Sequence, residues 1–177
     1  SLRQMMTYAG DRQGPTVIRY PRGSLPIRDN LFNDRESLGS VMIREGEEWA
    51  LIGHGVTVHI LLEAHEQANA SGLPAPAVID LRRLKPLDTP FLDEVLKNYP
   101  LVVVAEENYL RGGVGEALAS RVAELGTATC LKRLGVPDRF IHHATIAQQR
   151  EFCDLTVEGI LNCAAGRLGL KACVHTA

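Results

Sequence analysis

The sequence predicts an α/β fold: a three-layer, mainly parallel sheet of about five strands with helices on both faces. Three observations predict it. Short apolar runs alternate with amphipathic stretches at least three times beyond residue 40, and such alternation requires crossover helices between parallel strands. One run, Leu101-Val-Val-Val-Ala105, is apolar throughout, so both faces of that strand need cover. Glycines such as Gly72 and Gly126 stand just past the amphipathic stretches, where helices stop.

In chain order, Leu2, Met5 and Met6 fall at helical spacing, so residues 2–9 read as the end of a helix. Gly10 to Gly14 is a polar break. Pro15-Thr-Val-Ile-Arg-Tyr20 reads as a short strand because β-branched residues dominate it. Pro21 cannot continue a central strand, and Gly23 marks a turn. Residues 24–40 are polar and without period, as expected of an interdomain linker. Trp49-Ala-Leu-Ile52 is the next apolar run, closed by Gly53-His-Gly55. Thr57 can cap the helix that carries Val58, Leu61, Leu62, His65 and Ala68 on one face. Ala75 to Leu81 is a further run. Thr89-Pro90 opens a helix striped by Phe91, Leu92, Val95, Leu96 and Tyr99, with Pro at its first position. After Leu101–Ala105 comes a helix that buries Val114, Leu118, Val122 and Leu125. Ala128 to Leu131 is a strand, and two short helices are expected near 145–151 and 156–165. The resulting division is a front piece at 1–23, a linker at 24–40, a domain at 41–165, and a tail at 166–177 that is expected to be loose.

Composition narrows the function. The 177 residues are 45% hydrophobic and 23% charged, which is ordinary for a globular chain. The net charge of −2 gives no global pull toward nucleic acid or an anionic membrane. Charge is uneven, however: residues 1–38 carry six Arg and four acids, and the remainder carries 13 Lys/Arg and 17 acids. No apolar run approaches the roughly 20 residues that cross a bilayer. Ser1 to Gly10 has no secretory core, so a cytoplasmic location is expected. Cys130, Cys153, Cys163 and Cys173 form no Cys-x-x-Cys pair and read as free thiols.

In such sheets, ligands and partners meet the loops at the carboxyl ends of the strands. Those loops are Gly53-His-Gly55, Arg82 to Asp88, and Glu106 to Gly115. Arg19-Tyr-Pro-Arg-Gly23 puts two guanidinium groups, on Arg19 and Arg22, where the chain leaves its strand. The planar fork of Arg suits a phosphate or carboxylate; the ordinary alternative is a solvated or salt-bridged pair. Residues three apart at a Pro-bent end need not point the same way, so one Arg can serve a site and the other the fold. Gly112-Gly-Val-Gly115 at a helix start could seat an anion on free N–H groups. It lacks dinucleotide-fingerprint spacing, since Leu118 stands at the third glycine position, and a tight turn with close helix packing is the plainer reading. Glu106 and Glu107 could share a proton, or they could serve an interface or a site loop. His54 sits between glycines at a strand end, and His142, beside His143, lies in a loop that could touch substrate or partner. His65, on an apolar stripe, reads as a satisfied core histidine. No metal motif, nucleophile elbow or phosphate loop is present.

Five stretches together resemble the 1-deoxy-D-xylulose-5-phosphate synthase family. Leu2-Arg-Gln-Met-Met6 and Pro15-Thr-Val-Ile-Arg-Tyr-Pro-Arg-Gly23 resemble the end of its middle, pyrimidine-binding domain. Val78-Ile-Asp-Leu-Arg-Arg-Leu-Lys-Pro-Leu-Asp88, Val104-Ala-Glu-Glu-Asn108 with Gly112-Gly-Val-Gly115, and Leu134-Gly-Val-Pro-Asp-Arg-Phe-Ile141 resemble its transketolase-like C-terminal domain. They run in family order over residues 2–160. The resemblance implies a transferase that joins pyruvate to glyceraldehyde 3-phosphate, a step feeding isoprenoid and thiamine biosynthesis. It implies thiamine diphosphate and Mg²⁺ as cofactors and a homodimer in the whole enzyme. It assigns the triose-phosphate anchor to Arg22, and it places the cofactor-binding parts outside this chain, so the chain alone is expected to be inactive and to bind no cofactor. The equivalent domain of a transketolase or of a 2-oxo acid dehydrogenase β subunit is an alternative. A non-catalytic dimerisation or ligand-binding module is another.

Overall fold

The computed structural model describes residues 2–21 and 38–168. Arg22, most of the expected linker and the last nine residues lie outside that range.

Five strands form one sheet: β1 Val41–Arg44, β2 Trp49–Gly53, β3 Ala77–Asp80, β4 Leu101–Tyr109 and β5 Cys130–Val136. Their order is β1-β3-β2-β4-β5. β2 pairs in parallel with β3 and β4, β4 pairs in parallel with β5, and only β1 runs antiparallel, beside β3. This is the mainly parallel, three-layer α/β architecture that the sequence predicts.

Side-chain alternation along the central strands separates two cores. Leu51, Val78, Val103 and Ala105 face one way, against Val58, Leu61 and Leu62 of α2 (Thr57–Ala70) and Ile160 of α6 (Val157–Ala165). Ala50, Ile52, Ile79, Val102 and Val104 face the other, against Leu92, Val95 and Leu96 of α3 (Thr89–Asn98) and Leu118 of α4 (Val114–Leu125). β2 is buried along its whole length, which explains why its sequence is an apolar run and not an alternation. α5 spans Ile146–Phe152 and opens on a capping box between Thr145 and Gln148.

The structure corrects three sequence readings. Pro15–Tyr20 forms neither helix nor strand and pairs with no strand among the described residues, and Val17 is 94% exposed. β-branched composition favours a pleated backbone but does not supply the neighbour that makes it a strand. The fifth strand is β1 instead: four residues long, at an edge, and interrupted between Met42 and Arg44, it carries too little pattern to be read. β4 continues beyond Ala105 to Tyr109, and β5 runs to Val136. α1 (Leu2–Asp11) forms as the spacing predicts, with none of its residues buried.

The domain's start is tied down by a long-range bond. The backbone N–H of Ser40 donates to the Asp88 carboxylate at 3.0 Å. Asp88 also stands immediately before α3.

Candidate site at the carboxyl edge of the sheet

β4 delivers two consecutive carboxylates to the carboxyl edge, and strand geometry sends them to opposite faces. Glu106 is 1% exposed. Its carboxylate accepts the backbone N–H groups of Val114 and Gly115, each at 2.9 Å. Those are first-turn donors of α4, which no intrahelical carbonyl can satisfy. The turn is therefore filled by an anion, and that anion is the chain's own. The glycines follow from this. Gly112 has φ +75°, a conformation that suits glycine. At Gly113 a Cβ would lie 2.5 Å from Glu106 Oε2, so no other residue leaves room for the carboxylate. Gly112 N–H donates to Glu116 Oε2 at 2.9 Å. The Gly112–Gly115 turn thus binds internal carboxylates, and the tight-turn reading is the one observed.

Glu107 turns the other way. Arg150, in the last turn of α5, donates to Glu107 Oε1 through Nε at 2.7 Å and through Nη2 at 2.6 Å. With partners on different elements, Glu106 and Glu107 do not form a proton-sharing pair. The Glu107 carbonyl accepts a hydrogen bond at 3.0 Å from Arg19 Nη2, which arrives from the front segment. His54, at the end of β2, completes the group. Burial pushes its imidazole below the ordinary 6.5; Arg19 adds to that shift, and Glu106 and Glu107 oppose it. Thr57 fixes the turn that carries His54, because its hydroxyl donates to the His54 carbonyl at 2.9 Å and accepts from the His54 N–H at 3.1 Å. Thr57 is therefore a turn fastener; it makes no side-chain cap for α2.

Beside this group, at the end of β3, lies an ion pair sunk into the edge. Asp80 and Arg82 have side chains only 8% and 3% exposed, with Oδ2 and Nε 3.6 Å apart. Arg82 holds φ +53°, and its N–H donates to Asp80 Oδ1 at 3.1 Å. Burial pushes the Asp80 carboxyl up, against the pull of Arg82.

Of the residues singled out from the sequence, the structure gathers Arg19, His54, Glu106 and Glu107. It leaves His142 exposed, its carbonyl 3.5 Å from Gln149 Nε2. His65 is half-buried, with Nδ1 2.7 Å from the Pro76 carbonyl. Arg22 lies outside the described residues. Arg150 gave no sequence signal, since its partner is 43 positions away. Asp80 and Arg82 carried a local one, a spacing of two that a left-handed residue converts into contact. Two open recesses, lined by Glu48, Pro100 and Arg167 and by Glu45, Gly46 and Pro74, lie at the opposite, amino edge. Among the described residues no three His, Cys, Asp or Glu side chains converge as metal ligands.

A mainly parallel sheet between two helical layers, with a front segment bonded at its carboxyl edge and a Gly-Gly-Val-Gly turn sealed by a strand-end glutamate, defines a three-layer α/β domain. The chain belongs to the transketolase C-terminal domain family, whose model matches residues 39–160. It is 36% identical over 162 residues to a 1-deoxy-D-xylulose-5-phosphate synthase of Pseudomonas putida, covering 90% of this chain and 25% of that protein. It is 34% identical over 174 residues to 1-deoxy-D-xylulose-5-phosphate synthase 1 of Geobacter sulfurreducens, covering 96% and 27%. The chain thus spans about a quarter of the length of the curated relatives it matches. A solved structure described as a split-gene transketolase in an inactive beta4 tetramer superposes with a TM-score of 0.82 at 28% identity, over 96% of this chain and 55% of its own.

Proposed function

We propose that this chain is the C-terminal part of a 1-deoxy-D-xylulose-5-phosphate synthase, a transferase that condenses pyruvate with glyceraldehyde 3-phosphate to 1-deoxy-D-xylulose 5-phosphate and CO₂. The observation that carries this reading is the match to such synthases across 90–96% of the chain, front segment included. The whole protein would be a cytoplasmic homodimer using thiamine diphosphate and Mg²⁺. The described residues do not fit that cofactor: they assemble no metal-ligand cluster, and the helix start best placed to take a phosphate already holds Glu106. Polypeptide beyond this chain would therefore hold it, and the chain alone would be inactive. The role of the present residues is binding and support. Arg22 would grip the triose phosphate as a planar fork of donors, and the carboxyl edge of the sheet would stand behind it.

The test is Arg22→Ala in the whole protein. A lost charge-assisted contact of about 1.5–3 kcal/mol should raise KM for glyceraldehyde 3-phosphate about 10- to 100-fold, with pyruvate KM nearly unchanged. An unchanged triose-phosphate KM would count against the assignment. A second reading, the corresponding part of a transketolase, is favoured by the split-gene transketolase fold match at 28% identity. It predicts turnover with a ketose phosphate donor in place of pyruvate.

A further inference from the structure

Away from the carboxyl edge, the fold brings two cysteines from different layers into one cleft. Cys130 opens β5 and stands opposite Leu101 in the parallel register, and Lys132 stands opposite Val103. Leu101 and Val103 belong to the core covered by α2 and α6. Cys130 packs against that same core, whereas Leu131 goes to the other one. Strand alternation thus sends the Cys130 side chain toward the α6 layer. Cys163 comes from that layer. It lies toward the end of α6, packs against the same core and is half-buried, as Cys130 is. α6 packs on both β4 and β5. Just past Cys163, Arg167 and Leu168 share a recess with Leu101, the strand partner of Cys130.

The charges around Cys163 agree with that placement. Burial pushes its thiol up, the Lys132 ammonium pulls it down, and Asp154 and Cys130 push it up. Such effects fade over about 10 Å, so the two thiols, one lysine and one aspartate are close neighbours between β5 and α6. Cys153 stands apart from the pair. It precedes α6, at the other end of the helix from Cys163, and its thiol responds to burial, Asp154 and Arg139. Among the described residues no three His, Cys, Asp or Glu side chains could hold a metal ion, so the chemistry open to Cys130 and Cys163 is that of one thiol with another.

We propose that Cys130 and Cys163 form a dithiol site that hydrogen peroxide closes to a disulfide, stapling the end of α6 to the edge strand β5. In the first step one thiolate attacks a peroxide oxygen. The O–O bond breaks, the other oxygen leaves as hydroxide, and the sulfur becomes a sulfenic acid. In the second step the other thiolate attacks that sulfur. The S–S bond forms, the S–O bond breaks, and the departing hydroxide takes up a proton as water. Overall, two thiols and one hydrogen peroxide give one disulfide and two waters, and the sulfurs lose the two electrons that the peroxide gains. A reducing dithiol reverses the step by exchange. The site lies where β5 begins, on the amino side of the sheet, and does not depend on the synthase reading.

The test is a linkage map of the purified 177-residue chain, reduced, freed of reductant, treated with a stoichiometric amount of hydrogen peroxide and then alkylated. Trypsin combined with cleavage before Asp154 puts Cys130, Cys153, Cys163 and Cys173 on separate peptides. The folded chain should lose the mass of two hydrogens and give one dominant linked pair, Cys130 with Cys163, with Cys153 and Cys173 alkylated. Dithiothreitol should restore both thiols. Cys130→Ser and Cys163→Ser should each abolish the linked pair, and Cys153→Ser should leave it intact. A folded chain that links other cysteines, that stops at a sulfenic or sulfinic acid, or that links nothing would overturn the proposal. The map of the unaltered chain decides this even where a Ser variant fails to fold. In urea, the shorter loops from Cys163 to Cys153 or to Cys173 should close more readily. A dominant Cys130–Cys163 link there too would mean that the fold does not select the pair, which would also overturn it.

Discussion

Glu106 and Glu107 are adjacent, chemically identical and, in the sequence, indistinguishable. The strand separates them: one carboxylate goes to the start of α4 and the other to Arg150. The Glu-Glu spacing made the location legible but not the division of labour, because each partner is contributed by a different element. Glu106→Ala should leave two buried helix-start donors unsatisfied and lower unfolding free energy by about 2–4 kcal/mol, read from urea titration; Glu106→Gln, which keeps one acceptor, should cost about half as much. His54 bears on pH. Its imidazole sits below 6.5 in the folded chain, so below that pH the unfolded chain binds the extra proton more readily. The native state should then lose stability as pH falls from about 6.5 through the depressed folded value. His54→Phe removes that term. Between about pH 7.5 and about pH 5 its stability should fall less than that of the unaltered chain, and equal slopes would contradict the assignment.

At the scale of elements, legibility followed pattern length. α2, α3, α4, α5 and α6 lie where periodicity, Pro90 and the terminal glycines put them, since several residues vote on each. β1 was missed because four residues at an edge, Val41 buried and three half-covered, carry little periodicity. The segment Pro15–Tyr20 was overread because its residue types suit a strand while its neighbour is absent among the described residues. The Gly112–Gly115 turn was legible as a tight turn, but its occupant was not, since Glu106 lies on the preceding strand. Gly113→Ala pushes a methyl into that carboxylate and should cost about 1–3 kcal/mol. Combined with Glu106→Ala it should cost clearly less than the sum, because both act through one contact. Strict additivity in urea unfolding would show that the glycine serves some other purpose. Arg121 ties α4 to α3 through Asp93, at 2.7 and 2.5 Å. That pair is exposed enough that Arg121→Ala should shift the thermal midpoint less than Gly113→Ala does.

For the molecule as a whole, the sheet divides two apolar cores and carries its clustered polar side chains at the carboxyl edge. Its carboxyl edge is built from internal pairs: Glu106 with α4, Glu107 with Arg150, and Asp80 with Arg82. The recesses open on the other side. The architecture and the general placement of the site were legible because alternation and loop position encode both. The internal saturation of that edge was not, because it depends on contacts between residues far apart in sequence. The most direct test is formation of 1-deoxy-D-xylulose 5-phosphate and CO₂ from pyruvate and glyceraldehyde 3-phosphate with thiamine diphosphate and Mg²⁺ supplied. It compares the purified 177-residue chain with protein that also carries the remaining three quarters of the relatives' sequence. The account predicts no turnover by the chain alone and triose-dependent CO₂ release by the longer protein. Turnover by the chain alone, or a longer protein that ignores pyruvate and accepts only a ketose phosphate donor, would contradict it.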